Sequence, residues 1–288
     1  MISYSGRVTT QSGETVMVHL IWNGRCKIHS CNLVATTAAG VAAYAALQVF
    51  HPDLVISAGT AGGFSELGAC IGDVYLSTKC IFHARRIPLC LPSKDEGCGF
   101  KVKHFEEYGF GHFRSPPLNH LAKTVGVKQG IVSSSDCLDC SEIDLQLLRS
   151  EGAVVKEMEA AAVAWVCQVL GTPFFALKSI TDIVDGSIDS EEEFYSNLSL
   201  ASVNLQEKLT LVVRHLGGTT LNGSNMSVPH VKQTSVKQHR ALEDSSNVNL
   251  AIRDSFDTES GGLFRHTAYA FIAIGTCMSF YMTYYKSR

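Results

Sequence analysis

Residues 154–186, VVKEMEAAAVAWVCQVLGTPFFALKSITDIVDG, constrain the fold more than any other stretch of the chain. They set Met158 and Glu159 at the start of an alanine-rich helical run, continue into an apolar strand over 174–180, and end on Asp182 just past it. In an open α/β sheet, ligands bind beyond the carboxyl ends of the strands. Glu159 and Asp182 are therefore expected to face one pocket, with two acidic groups available for a polar ligand and for proton transfer.

The rest of residues 1–217 repeats this alternation. Strands are expected over 15–21, 54–58, 73–82 and 130–133, and helices over 36–50, 118–125, 157–170 and 190–215. A glycine turn, GTAGGF, follows at 59–64, and 88–117 reads as a long loop or lid. The pattern predicts a three-layer αβα sandwich with a mixed central sheet. Apolar residues make up 45% and charged residues 18%, so most of the chain is expected to fold. A net charge of −3 gives no basic patch for nucleic acid. The opening MISYSGRVTTQSGETV has no apolar signal-peptide core, and the ten cysteines are read as reduced thiols. Cys137 and Cys140 lack a second ligand pair, so no metal is expected.

Two further zones follow. Residues 218–262 are rich in Ser, Asn, Thr, Gly and Gln and read as a flexible linker. Within 263–288, residues 267–285 form 19 positions without a formal charge, flanked by Arg265, Lys286 and Arg288. At about 1.5 Å per residue, a helix of that length nearly crosses a hydrocarbon core of about 30 Å. A C-terminal transmembrane helix is expected, a single-pass tail anchor holding the domain on the cytosolic side of the mitochondrial outer membrane or endoplasmic reticulum.

The glycines after LVISA, with Thr60, Ala61 and Gly62, let a ligand approach the backbone closely. They match neither a dinucleotide fingerprint nor a P-loop. Glu157 reads as a complement to the helix dipole. Glu159 could accept hydrogen bonds from two adjacent hydroxyls, as on a ribose. Asp182, half-buried, could hold a raised pKa and protonate a leaving group, whereas Asp185 fits a turn residue.

SAGTAGGF, GDVYLST, SSSDCLD, KEMEAAAVAWVC and SITDIVDG, in this order, resemble the nucleoside phosphorylase/uridine phosphorylase superfamily, and within it the plant-type 5′-methylthioadenosine nucleosidases. FHARRIP and YGFGHFRSPP add to that resemblance, which covers roughly 3–215. It implies that Asp182 acts as acid at adenine N7 beside Thr181, and that Glu159 binds the ribose hydroxyls with Met158 against the sugar. Thr60 falls at the family's small hydroxyl position, and Leu138 and Asp139 would border the adenine. Residues 83–88 and 110–116 would shape the alkylthio end, completed by a partner subunit in a homodimer. No cofactor is implied.

Ser57 stands where the superfamily's phosphorylases carry a phosphate-gripping arginine, which favours water as nucleophile; Arg25 is the other cation that could reach the site. Family members also begin with an extra strand ending in an acidic motif that activates the water. This chain is expected to start after that strand, Glu14 cannot take its role, and Ala84 replaces an aspartate. The expected activity is hydrolysis of 5′-methylthioadenosine, with S-adenosylhomocysteine a second candidate, to adenine and an alkylthioribose in methionine salvage. The alternatives are a catalytically weak, membrane-tethered nucleoside-binding homologue and a purine nucleoside phosphorylase.

Overall fold

β3 (Leu54–Gly63) and β8 (Phe174–Ile183) form the parallel centre of the sheet, paired from Val55 opposite Phe174 to Gly63 opposite Ile183 with one register shift after Ala61. Both are buried on two faces, which is why their sequences run apolar without alternation. The computed structural model describes residues 1–85 and 111–216 in full, and 269–274 as backbone.

Around that centre the chain opens with an antiparallel hairpin, β1 (Ile2–Thr9) and β2 (Thr15–Trp22). It continues through α1 (Ala35–Phe50), β3, β4 (Val74–Phe82) and the two-residue β5 (Phe113–Arg114). Then come α2 (Asn119–Val125), β6 (Lys128–Ser134), α3 (Glu142–Glu151), β7 (Ala153–Glu157), α4 (Ala160–Leu170), β8 and α5 (Ser190–Leu216). A last strand, β9 (Tyr269–Ile274), enters the sheet from the C-terminal segment.

Strand β3 pairs with β8, β8 with β4, β4 with β6 and β6 with β7, and β7 meets β3 again at Gly62 and Gly63. Five strands thus close into a ring. Along its other edge, β3 pairs first with β9, over Leu54–Ala58, and then with β7. Among the described residues Gly59–Ala61 have no ladder partner on that edge, and we call this gap between the two contacts the crevice, the type of place where α/β sheets take ligands.

Alternating side chains separate the layers. Val55, Phe174 and Ala176 pack with α1 and α4, whereas Leu54, Ile56, Phe175 and Leu177 pack with α2 and α5. Ala160, Ala161, Ala162 and Ala164 are all buried, so α4 lies close to the sheet. The chain has the expected α/β fold with a mixed sheet.

Four local expectations are corrected. The glycine run is strand rather than turn: β3 continues to Gly63, where a β-carbon would stand 2.7 Å from that of Ala69. Residues 153–157 form β7 instead of leading into a helix, because Val154 and Val155 favour strand and Glu157 caps α4 from outside it. Strand β1 and helix α3, whose Ser141–Asp144 capping box marks its start, were not anticipated as elements. Tyr269–Ile274 is a strand, so a helix does not run through 267–285. Its aromatic and β-branched residues suit an inner sheet position, where both neighbours satisfy its backbone. Among the described residues no helix is long and apolar enough to cross a membrane. The remainder of that segment, the linker at 218–262 and 88–110 of the expected lid lie outside the described residues.

Candidate active site

Asp182 owes its position to a bulge. Ala61 pairs with Ile180 but Gly62 pairs with Asp182, so Thr181 is an extra residue on β8. Such bulges break side-chain alternation and re-aim a residue. The Thr181 hydroxyl bridges the two strands, at 3.1 Å from the Ala61 carbonyl and 2.8 Å from Asp182 Oδ1. From behind, α5 braces the bulge: Glu193 accepts the Ile183 N–H at 2.6 Å, and Asn197 donates to the Thr181 carbonyl at 3.1 Å. Burial pushes the Asp182 carboxyl above its ordinary pKa; the Thr181 hydrogen bond and the Lys156 charge pull it partly back.

Opposite Gly62 on its other side stands Lys156 of β7. Its buried ammonium donates to the carbonyls of Cys137 at 3.0 Å and Leu138 at 2.7 Å. Burial lowers its pKa, while neighbouring acidic groups, Asp182 among them, oppose the shift. One lysine thus pins the loop after β6 and lies near the acid. Leu138 and Asp139 are exposed on that loop, and its main chain is the part held.

Glu159 and Glu157, two residues apart, have different tasks. The Glu159 carboxylate is buried and accepts the Ala35 N–H at 3.0 Å. Ala35 adopts a left-handed backbone, φ 75°, at the start of α1, a local strain that aims its N–H at the acid. Met158 is half-buried beside it. Glu157 accepts the N–H groups of Glu159 and Ala160 at 3.0 and 2.9 Å, a short bond from the Ser134 hydroxyl, and pairs with Lys178 at 2.8 Å. Burial raises the Glu157 pKa, and the Lys178 ammonium together with hydrogen bonds from Ser134 and the Ala160 N–H more than offsets it, so the carboxylate stays charged. Glu157 is structural, as expected, though through hydrogen bonds rather than through the dipole alone.

A cavity of about 650 Å³ opens beside this cluster, lined by Thr36, Tyr44, Trp165, Ser135, Asp136 and Arg85 among others. Asp182 and Glu159 do not line it; it adjoins Glu157 and the head of α4 through Ser134, whose hydroxyl donates to Glu157 and accepts the Ala161 N–H at 2.8 Å. We take the buried acids Asp182 and Glu159 as the candidate chemical centre; the cavity beside them mixes polar Thr36, Ser134, Ser135 and Asp136 with apolar side chains of α1 and α4. Ala84 and Arg85 line the cavity, and buried His83 holds Ser133 at 2.8 Å.

The sequence-derived residues therefore assemble: Thr60, Ala61 and Gly62 on β3, Thr181 and Asp182 on β8, and Met158 and Glu159 at the head of α4. Others stay apart. Glu14 lies beyond the β1–β2 turn, which bonds the C-terminal end of α5 through Gln11 and Arg214, whereas Glu193 near the helix's other end touches the site. At about 1.5 Å per residue, roughly 30 Å of helix separates them. Ser57 is fully buried inside β3, and its hydroxyl has no partner among the described residues. Arg25 is exposed and reaches Asn32 at 3.4 Å. Cys137 and Cys140 are free thiols, and no cluster able to hold a metal occurs among the described residues. Lys156, Lys178, Glu193 and the Ala35 N–H were missed. A lysine between Val155 and Glu157 was the available signal, since a charge inside an apolar strand needs a partner.

A bulged acid strand against a glycine-rich neighbour, in a closed mixed ring flanked by helices, defines a nucleoside phosphorylase-like α/β protein. The chain belongs to the phosphorylase superfamily, whose family model matches residues 4–214. It is 36% identical over 205 residues to an Arabidopsis thaliana 5′-methylthioadenosine/S-adenosylhomocysteine nucleosidase, covering 71% of this chain and 76% of that one. It is 35% identical over 209 residues to an Arabidopsis thaliana 5′-methylthioadenosine nucleosidase, covering 73% of each. The apo structure of Arabidopsis thaliana 5′-methylthioadenosine nucleosidase superposes with a TM-score of 0.65 at 35% identity, over 76% of this chain and 82% of that one. A crystal structure of an MTA/SAH nucleosidase gives 0.66 at 34% identity, with the same coverage.

Proposed function

We propose that this protein is an N-glycosyl hydrolase that cleaves 5′-methylthioadenosine, with S-adenosylhomocysteine as a further substrate, releasing adenine and a 5-alkylthioribose in methionine salvage. The observation that carries this reading is Asp182, buried on a bulge at the mouth of the crevice with its pKa raised. The names of the Arabidopsis relatives support the substrate. As the C1′–N9 bond breaks, its electron pair moves onto the purine and Asp182 delivers a proton to N7. The cationic ribose left behind is held at its hydroxyls by Glu159 and captured by water at C1′; that water sheds its proton to solvent, and the Asp182 carboxylate regains one from solvent. The Cys137–Leu138 main chain borders the adenine, with Thr60 and Met158 flanking the sugar. Ser57 offers no cation to a phosphate dianion, which favours water over phosphate as nucleophile. An adenine-release assay on the full chain, with and without phosphate, tests the proposal; strict phosphate dependence would mark a phosphorylase instead.

A slow enzyme, or a nucleoside-binding homologue, is the second reading. Glu157 is committed to Lys178 and to the head of α4, and Glu14 lies at the far end of α5. If no base beyond the described residues activates water, turnover should fall by about 10²–10⁴-fold. Thermal shift with adenine but no adenine release from substrate would decide for it.

The same proposal includes a homodimer. Val41 and Tyr44 of α1 and Trp165 and Val169 of α4 form an exposed apolar face around the cavity, supporting a second copy there. Tyr44→Lys should give monomers in sedimentation; an unchanged mass rules out this face. Membrane attachment through 267–285 is supported by its uncharged length alone and requires Tyr269–Ile274 to leave the sheet. Diffuse fluorescence from a fusion of 263–288 would end that reading.

A further inference from the structure

We propose that the channel between β2 and β3 is a strand-acceptor site whose occupant is this chain's own C-terminal segment, and that the crevice is complete only when Tyr269–Ile274 fills it. Strand β9 lies parallel to both neighbours: Met17–Trp22 of β2 face Tyr269–Ile274, and Leu54–Ala58 of β3 face Ala270–Ile274. An inner strand gives all its backbone groups to the two ladders. Without it, two edges in the interior of the sheet would lose their hydrogen-bond partners, a condition that folded proteins avoid by pairing or covering. The exposed edge on the β3 side would include Leu54, Val55, Ile56 and Ala58, all of them buried.

The occupant follows from chain geometry. Helix α5 ends at Leu216 beside the β1–β2 turn, where the Gln11 N–H bonds the Arg214 carbonyl at 2.9 Å. Strand β9 begins opposite Met17, near the start of β2 and so close to the same turn. The 52 residues between Leu216 and Tyr269 join two points at one end of the sheet. A chain of that length spans about 40 Å even as a random coil, so the segment can reach the channel of its own molecule. Its sequence, YAFIAI, is composed of strand formers and alanine.

Position links the strand to the site. Ile274 is level with Ala58, two residues before Thr60, and β7 takes over the same edge of β3 at Gly62. Strand β9 is thus the wall of the crevice that faces β7. It supplies backbone but no acid, since its sequence YAFIAI contains neither Asp nor Glu. The inference rests on the pairing alone and stands whether or not the proposed reaction is correct.

Hydrogen exchange on the full, unmodified chain reads the occupancy directly. The amides of 269–274 should exchange as slowly as those of Leu54–Ala58, and exchange at the rate of a free peptide overturns the proposal. As a second arm, Ile272→Pro in the full chain removes one ladder donor. It should lower the melting temperature and speed exchange along β2, and a synthetic peptide of residues 267–276 added in excess should restore slow exchange there. A variant with unchanged melting and unchanged β2 exchange also overturns it. If that variant does not fold, exchange in the unmodified chain still decides.

Discussion

Gly62 lies directly opposite Asp182 on the parallel strands β3 and β8, and a β-carbon on Gly62 would stand 2.8 Å from Asp182 Oδ2 and 2.6 Å from Val184 Cγ2. The absence of a side chain at one position thus creates the space in which the acid sits at the other. That relationship joins the glycine run to the acidic residue as parts of one device.

Gly62→Ala should therefore damage both stability and chemistry. The added methyl has no free space, and overpacking of this kind costs about 1–3 kcal/mol. A fall in melting temperature together with a loss of adenine release is expected; a variant that keeps full activity would show that Asp182 tolerates displacement.

Asp182→Asn keeps the shape and removes the proton. Activity should fall by about 10²–10⁴-fold, the usual worth of acid assistance. In the unmodified protein, activity should decline as pH rises through the raised pKa of Asp182, and that limb should vanish in the variant. The stability sign follows. A carboxyl whose folded pKa is raised favours the fold below its unfolded pKa, and that contribution is lost as pH climbs through the folded value. The melting temperature of the Asn variant relative to the parent should thus increase from pH 4 to pH 8, and a flat difference would contradict the burial effect.

Lys156→Met tests the loop anchor. Two carbonyls lose a charged donor, a bond class worth about 1.5–3 kcal/mol, and the loop proposed to border the adenine loosens. KM should rise about tenfold or more, at 1.4 kcal/mol per decade. Because Lys156 also lowers the Asp182 pKa, the basic limb of the activity profile should move to higher pH in the variant. A shift to lower pH would be incompatible with that geometry.

Glu157→Gln leaves the Lys178 ammonium buried at zero exposure without its counter-charge. Breaking such a pair from one side costs about 3–5 kcal/mol, whereas replacing both members by apolar residues is often neutral. Denaturant titration should show a large loss for the single variant and recovery in Glu157→Leu combined with Lys178→Met. Equal losses in both would mean that the N–H groups capped by Glu157, rather than the charge pair, dominate.

Much of this was legible in one dimension. Alternating apolar segments and alanine-rich helices announce an αβα sandwich, since buried faces must recur at the helix and strand periods. Glu159 and Asp182 are recognisable because acids placed where such segments end must face something polar. The division between structural Glu157 and Asp185 and the two candidate acids was also readable; the structure has Asp185 accepting the N–H groups of Ser65 and Glu66.

What sequence alone determined, then, is the class of fold, because it follows from local periodicity and residue type; it also singled out the candidate acids. Tertiary structure decided how those residues are aimed. The bulge at Thr181, the reach of Lys156 to Cys137 and Leu138, and the Ala35 N–H on Glu159 all join residues distant in the chain. The C-terminal segment shows the difference best. Nineteen uncharged residues have the length of a membrane helix, but Tyr269–Ile274 can pair on both edges only inside a sheet that offers two open strands. Length and hydropathy are properties of the segment. The partners that satisfy its backbone belong to the fold.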